Sequence, residues 1–302
     1  WPMGGVWLSV QIYDYFKYTS DTELLEKRIY PIMKGAVQFS LDWLEKGQDG
    51  RYHTPLSTSP ENTFRDWDEK ECSVSYSSTM DISLIKELFK NYANASNILG
   101  IEDELLEQVR MKSLLLPEYQ VGKNGQLQEW IEDFEENEVT HRHLSHLYGL
   151  YPSDDFTVDG LTPEMKKACE TTLIRRGNDG VAWSRAWKIA LWGRLGNSEK
   201  AGEEILRYLQ LADSEDAKEI SYTNGGIYEN MFAARPLQID GCLGFTAGIV
   251  EMLIQDEGKE LKVLPALPKA WKKGYVKGLR LRNGEYINIE WDGENVKSSM
   301  YR

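Results

Sequence analysis

The sequence predicts a mainly helical toroid whose loops gather at one end, followed by a small antiparallel β module. Three observations carry this reading. Apolar residues recur at helical spacing through most of the first 257 positions, and long polar loops separate the helices at recurring intervals. Beyond Gly258 the pattern changes to apolar–polar alternation broken by turn signals. A chain of 302 residues with 41% hydrophobic composition suffices for one large domain with a smaller appendage.

The elements follow in order. "GGVWLSVQIYDYFKYTSD" places Val6, Leu8, Ile12 and Phe16 in an apolar helix ending near Thr19. From Thr22 to Gly47, Leu25, Ile29, Ile32, Met33, Val37, Leu41 and Leu44 keep helical spacing. Pro31 and Gly35 predict a kink within that segment. Further helices are predicted over 77–98, 102–115, 143–150, 162–175, 183–195, 198–211 and 243–256. Thr162 as cap and Pro163 in the first turn mark one of their starts. The long loops, 51–75, 117–142, 176–182 and 213–241, are where binding and catalysis usually sit. The turn signals "RNGE" and "DGEN" place a β module at 258–302, after a helical part at 1–257.

Composition narrows the function. With 48 acidic against 35 basic residues, a net charge of -13 and no long basic run, nucleic acid and anionic membrane surfaces are poor partners. No apolar run reaches the roughly 18 residues of a membrane span. Cys72, Cys169 and Cys242 are widely spaced and odd in number, which suggests reduced thiols. The chain opens on Trp1 rather than Met, so it reads as part of a longer polypeptide and leaves localisation open. Ten Trp and 16 Tyr suit either an aromatic core or a surface on which sugar rings stack.

Three stretches could carry chemistry. "HRHLSHLYGLYP", residues 141–152, holds His141, His143 and His146, with Arg142 among them. A metal site would need further carboxylate or Cys ligands, and Ser145 stands where one familiar metal motif has Asp. The remaining readings are packing histidines and polar contacts to a substrate. "STSPENTFRD" centres on Glu61, either a local salt-bridge residue or a general acid whose pKa is raised by aromatic neighbours. Glu129, beside Trp130, is a rival for the acid's part. Asp240, before Gly241, is either a helix cap or a carboxylate that activates water. Trp183, Arg185 and Trp187 open a predicted helix in a way that suits ring stacking and hydroxyl recognition.

"WPMGG", "SPENTF", "TMD" at 79–81, "HRHLSHLYGLYP", "WSRAWK", "QIDG" and "LPALPKAW" stand in one order, nearly end to end. Together they closely resemble glycoside hydrolase family 95, the α-L-fucosidase family that also contains α-L-galactosidases. The resemblance implies an (α/α)6 toroid, incomplete at its N-terminal end, then a small β domain, with a β-sandwich domain upstream. It implies an inverting mechanism without metal or organic cofactor, Glu61 as general acid and Asp240 as general base. Asn62, His141, Arg142, His143, Trp183, Arg185 and Trp187 are then expected to contact the substrate, a fucosylated or L-galactosylated oligosaccharide, or the catalytic groups. A non-catalytic carbohydrate-binding remnant is the alternative. Where relatives are expected to read "DGNFG", this chain has Cys242 and Leu243 after Asp240-Gly241. The pair of asparagines that assists the base in the family lies upstream of "WPMGG", so the isolated chain is expected to be a poor enzyme.

Overall fold

The computed structural model describes residues 1–157, 161–212, 226–234, 237–256 and 260–302. The expected division at 257/258 lies outside the described residues. The layout is the predicted one, a helical toroid and then a small antiparallel sheet. Its helices are α1 (Gly4–Thr19), the single turn α2 (Thr22–Leu24), α3 (Tyr30–Trp43), α4 (Thr79–Leu99), α5 (Glu104–Ser113), α6 (Pro163–Arg176), α7 (Ala182–Arg194), α8 (Ser198–Tyr208) and α9 (Ile239–Leu253). Eight of them have ten or more residues among the described residues, fewer than the six pairs of a closed ring.

Local chemistry sets the ends and the breaks. Pro31 cannot donate to the Lys27 carbonyl and its ring crowds that oxygen; the chain ahead of it widens into a π-turn, Leu25–Ile29, before α3 resumes. Ser78 caps α4 by accepting the Asp81 N–H at 3.3 Å, and Gly100 closes it in the left-handed region. Thr162 caps α6 as the sequence suggests, accepting the Met165 N–H at 3.2 Å.

Packing divides the helices into two cores. α1, α3, α4 and α5 bury Val10, Leu25, Met33, Val37, Leu84, Leu88 and Phe89. α6 to α9 bury Leu173, Ile189, Leu191, Trp192, Ile205 and Met252. A 3-10 turn, Ser145–Gly149, replaces the helix expected over 143–150 and belongs to both: Tyr148 packs in the first core, Leu144, Leu147 and Leu150 in the second. The Tyr148 hydroxyl also donates to Glu87 Oε2 of α4 at 2.6 Å.

α7 and α9 approach closely because α9 presents glycines along one stripe. A Cβ on Gly241 would lie 3.0 Å from that of Ala182, one on Gly244 3.2 Å from that of Ala186, and one on Gly248 2.9 Å from Ile189 Cγ2. This seam starts α9 at Ile239, four residues ahead of the predicted start, so Asp240 stands in its first turn, where the helix dipole favours a carboxylate.

Between the helices, the 51–76 segment folds into two-residue ladders. Leu56–Ser57 pairs with Ser75–Tyr76, and Phe64–Arg65 pairs with both Glu71–Cys72 and Glu135–Glu136. The C-terminal sheet is a meander of Lys273–Arg280, Tyr286–Asp292 and Asn295–Tyr301. Alternate residues Ile287, Ile289 and Trp291 point inward against Leu253 and Ile254 of the helical part. Arg282 ties the two parts, its guanidinium on Asp154 at 3.1 Å and its backbone N–H on Asp256 at 2.6 Å.

Candidate active site

Both cores end on one cleft of about 740 Å³. Five segments wall it: the start of α1 (Trp1, Trp7, Gln11), the 59–62 turn (Pro60, Glu61), the 142–152 stretch (Arg142, His143, Ser145, Tyr151, Pro152), the first turns of α7 (Trp183, Ala186, Trp187) and those of α9 (Asp240, Gly244). Met80 of α4 completes the lining. A second, more polar concavity of about 720 Å³ lies between the 45–55 and 117–132 segments and contains neither Glu61 nor Asp240.

Helical spacing explains the aromatic walls. Trp183 and Trp187 are four apart on α7 and share its cleft face; Trp7 and Gln11 do the same on α1. The Trp187 indole N–H donates to the Tyr151 carbonyl at 2.9 Å, and the Trp183 backbone N–H donates to Gln238 Oε1 at 3.0 Å, joining the starts of α7 and α9. Trp1 stands against Trp7 edge-on, with centroids 5.7 Å apart, and its indole N–H donates to Asp81 Oδ1 at 3.1 Å. Burial raises the Asp81 carboxyl to about 6.

Glu61 projects from its turn with its side chain 63% exposed. Arg142 Nη2 donates to Glu61 Oε2, and His143 Nε2 lies 3.6 Å from the same oxygen. The His143 ring meets Trp183 edge-on at 4.7 Å. Ser184 Oγ holds the Arg142 carbonyl at 2.6 Å, so α7 fixes the backbone from which Arg142 and His143 reach the cleft. Asp240 is an exposed member of the same lining, Oδ1 accepting the Gly241 N–H at 2.8 Å.

Of the residues expected to touch a ligand, Arg142, His143, Trp183 and Trp187 line the cleft with Glu61 and Asp240; three others do not. Asn62 is buried, its amide nitrogen donating to Glu129 Oε2 at 2.9 Å. His141 is buried behind His143 and accepts the His143 backbone N–H on Nδ1 at 3.1 Å. Arg185 turns inward, Nε donating to the Gly180 carbonyl at 3.1 Å and Nη1 lying 3.9 Å from Glu204. It shares a helix face with the buried Lys188 and Ile189, not with Trp183 and Trp187. Trp7, Gln11, Met80 and Tyr151 line the cleft without having been singled out as site residues; the i, i+4 spacing of Trp7 and Gln11 was the available signal.

Glu129, the rival acid, lies outside the lining. Its carboxylate is buried and accepts from Ser59 Oγ at 2.7 Å, from Asn62 and from Arg176 Nη2 at 2.5 Å. His146, fully buried, lies 3.7 Å away. Among the described residues no group of three or more His, Cys, Asp or Glu side chains is placed to hold a metal ion.

Burial pushes His143 down to about 4, with Arg142 adding to the effect; burial, then His143 and Arg142, do the same for His141. These rings are neutral near pH 7, and the cleft's positive charge there comes from Arg142. The unfolded chain protonates them near 6.5, the folded one only near 4, so proton uptake in that window favours unfolding. Asp81 works the other way between 3.8 and about 6, because its proton binds the folded state first. His146, held well below 6.5 by burial, acts with the other two rings, and Glu87 and Glu204, raised by burial, act with Asp81. Relative to the parent, His143→Gln is therefore expected to lose less stability to urea on going from pH 7 to pH 5.

Residues 1–253 match the glycosyl hydrolase family 95 catalytic domain, and residues 255–301 the glycoside hydrolase family 95 C-terminal domain. Along its whole length the chain is 47% identical to "Alpha-L-fucosidase 2" of Arabidopsis thaliana and covers 36% of it. Over 99% of its length it is 32% identical to "Probable alpha-fucosidase A" of Aspergillus niger, covering 38%. The chain thus spans little more than a third of these curated relatives. In fold alone it resembles a solved structure titled "Putative kojibiose phosphorylase from human microbiome", with a TM-score of 0.59 and 11% identity over 98% of this chain and 46% of that one. With the catalytic-domain match running to residue 253 and the C-terminal match beginning two residues later, the chain belongs to glycoside hydrolase family 95.

Proposed function

We propose that this chain carries the acid–base pair of an inverting glycoside hydrolase that releases terminal α-L-fucose, or α-L-galactose, from a glycan. The observation that carries the reading is that Glu61 and Asp240, remote in sequence, line one Trp-walled cleft. In this scheme Glu61 gives its proton to the glycosidic oxygen as the C1–O bond breaks. Asp240 takes a proton from the water that attacks C1 on the opposite face, a geometry that calls for roughly 6.5–9.5 Å between the carboxyls. Trp183 and Trp187 offer stacking faces and His143, as a neutral ring, a hydrogen bond to a sugar hydroxyl. No metal or organic cofactor enters the reaction. Residues 1–257 form the catalytic part and 258–302 the accessory β module.

One contact favours a second reading. Arg142 occupies the Glu61 carboxylate that a leaving oxygen has to reach, as in a carbohydrate-binding remnant that has lost turnover. Proton NMR of the first sugar released from an aryl α-L-fucoside by the polypeptide extended upstream of Trp1 decides between them. The β-anomer is expected first. The α-anomer first overturns inversion, and saturable fucose binding without turnover supports the remnant.

A further inference from the structure

We infer that Glu129 is a positioning residue for Glu61, acting through the turn on which Glu61 stands; this rests on the acid role proposed for Glu61. Residues 59–62 form a tight turn closed by the Asn62 N–H donating to the Ser59 carbonyl at 2.8 Å, with Pro60 and Glu61 at its corner. The buried Glu129 carboxylate accepts from both ends of that turn, Ser59 Oγ at 2.7 Å and Asn62 Nδ2 at 2.9 Å. Ser145 Oγ donates to the Pro60 carbonyl from the third side. Arg142 and His143 meet the tip of the exposed Glu61 side chain, while this frame sets the backbone from which it projects.

Arg176 extends the frame. Its Nη2 sits 2.5 Å from Glu129 Oε2, while its Nε donates to the His143 carbonyl at 3.3 Å and its Nη1 to the Val139 carbonyl at 2.8 Å. One buried ion pair therefore holds both the turn bearing Glu61 and the segment bearing His143 at a fixed separation. Gln at 129 keeps the size but removes the charge that faces Arg176, and its amide N–H meets Ser59 only if that hydroxyl turns round to accept, so the hold on both ends of the turn weakens. A carboxyl displaced by about 1 Å from its proton acceptor can cost about 10²-fold in rate.

Leaving-group dependence, measured in the catalytically competent polypeptide, separates this role from a merely structural one. Glu129→Gln is expected to lower kcat by about 10²-fold for an alkyl or glycosyl leaving group, which needs the proton, with KM unchanged. For 2,4-dinitrophenyl α-L-fucoside, whose leaving group departs unprotonated, kcat should stay near that of the parent. Ser59→Ala, which removes one contact and leaves the ion pair, should show the same pattern at smaller size. Equal losses on both substrates, or no loss on either, overturn the inference. Glu61→Gln run in parallel tests the underlying reading: if it shows no leaving-group selectivity, the acid assignment fails. If it is selective and Glu129→Gln is not, only the positioning role is lost.

Discussion

Asp240→Asn is expected to cut turnover of α-L-fucosides by about 10²-fold or more, and by the same factor whatever the leaving group. The amide keeps the shape at the start of α9 but cannot accept a proton from the attacking water, and every substrate needs that water. Glu61→Gln should match the loss on glycosyl leaving groups and spare activated aryl ones. The paired profiles, read from kcat against leaving-group pKa, assign base and acid independently. A flat, small effect at Asp240 would remove it from the mechanism.

Arg176→Ala is expected to cost about 3–5 kcal/mol of stability, because it leaves the buried Glu129 carboxylate without its guanidinium, while Glu136 keeps Arg175. Set against a total of about 5–15 kcal/mol for a folded domain, this is severe. Urea unfolding at pH 7 measures it. A change below about 1 kcal/mol, the range of surface pairs, would show that water reaches this network.

The helical part was legible wherever burial follows a period. α4, α6 and α7 begin and end within two residues of the expected positions, because Ser78, Thr162 and Pro163 write their starts in local chemistry. α9 was legible except at its start, expected at 243 and found at Ile239: Gly241 read as part of the preceding loop, whereas it serves contact with a helix nearly sixty positions earlier. The two-residue ladders around Phe64 were invisible for a related reason, since such short strands show no alternation. In the candidate site, carboxylates and tryptophans were recognised by type, but inward and outward could not be told apart. Arg185 and Trp183 lie two positions apart on one helix and face different surroundings. The Glu129–Arg176 pair was missed because nothing local in the sequence joins residues 47 apart.

The 3-10 turn at Ser145–Gly149 gives the cleft an unusual mechanical standing. Because Tyr148 is anchored in one core and Leu144, Leu147 and Leu150 in the other, neither half of the helical part can loosen without pulling on the segment that bears Arg142 and His143. The cleft therefore lies at the junction of two cooperative units, and its integrity follows the less stable of them. Substitutions deep in either core, away from the cleft lining, are then expected to act on the cleft by raising the fraction of molecules in which its two walls have come apart.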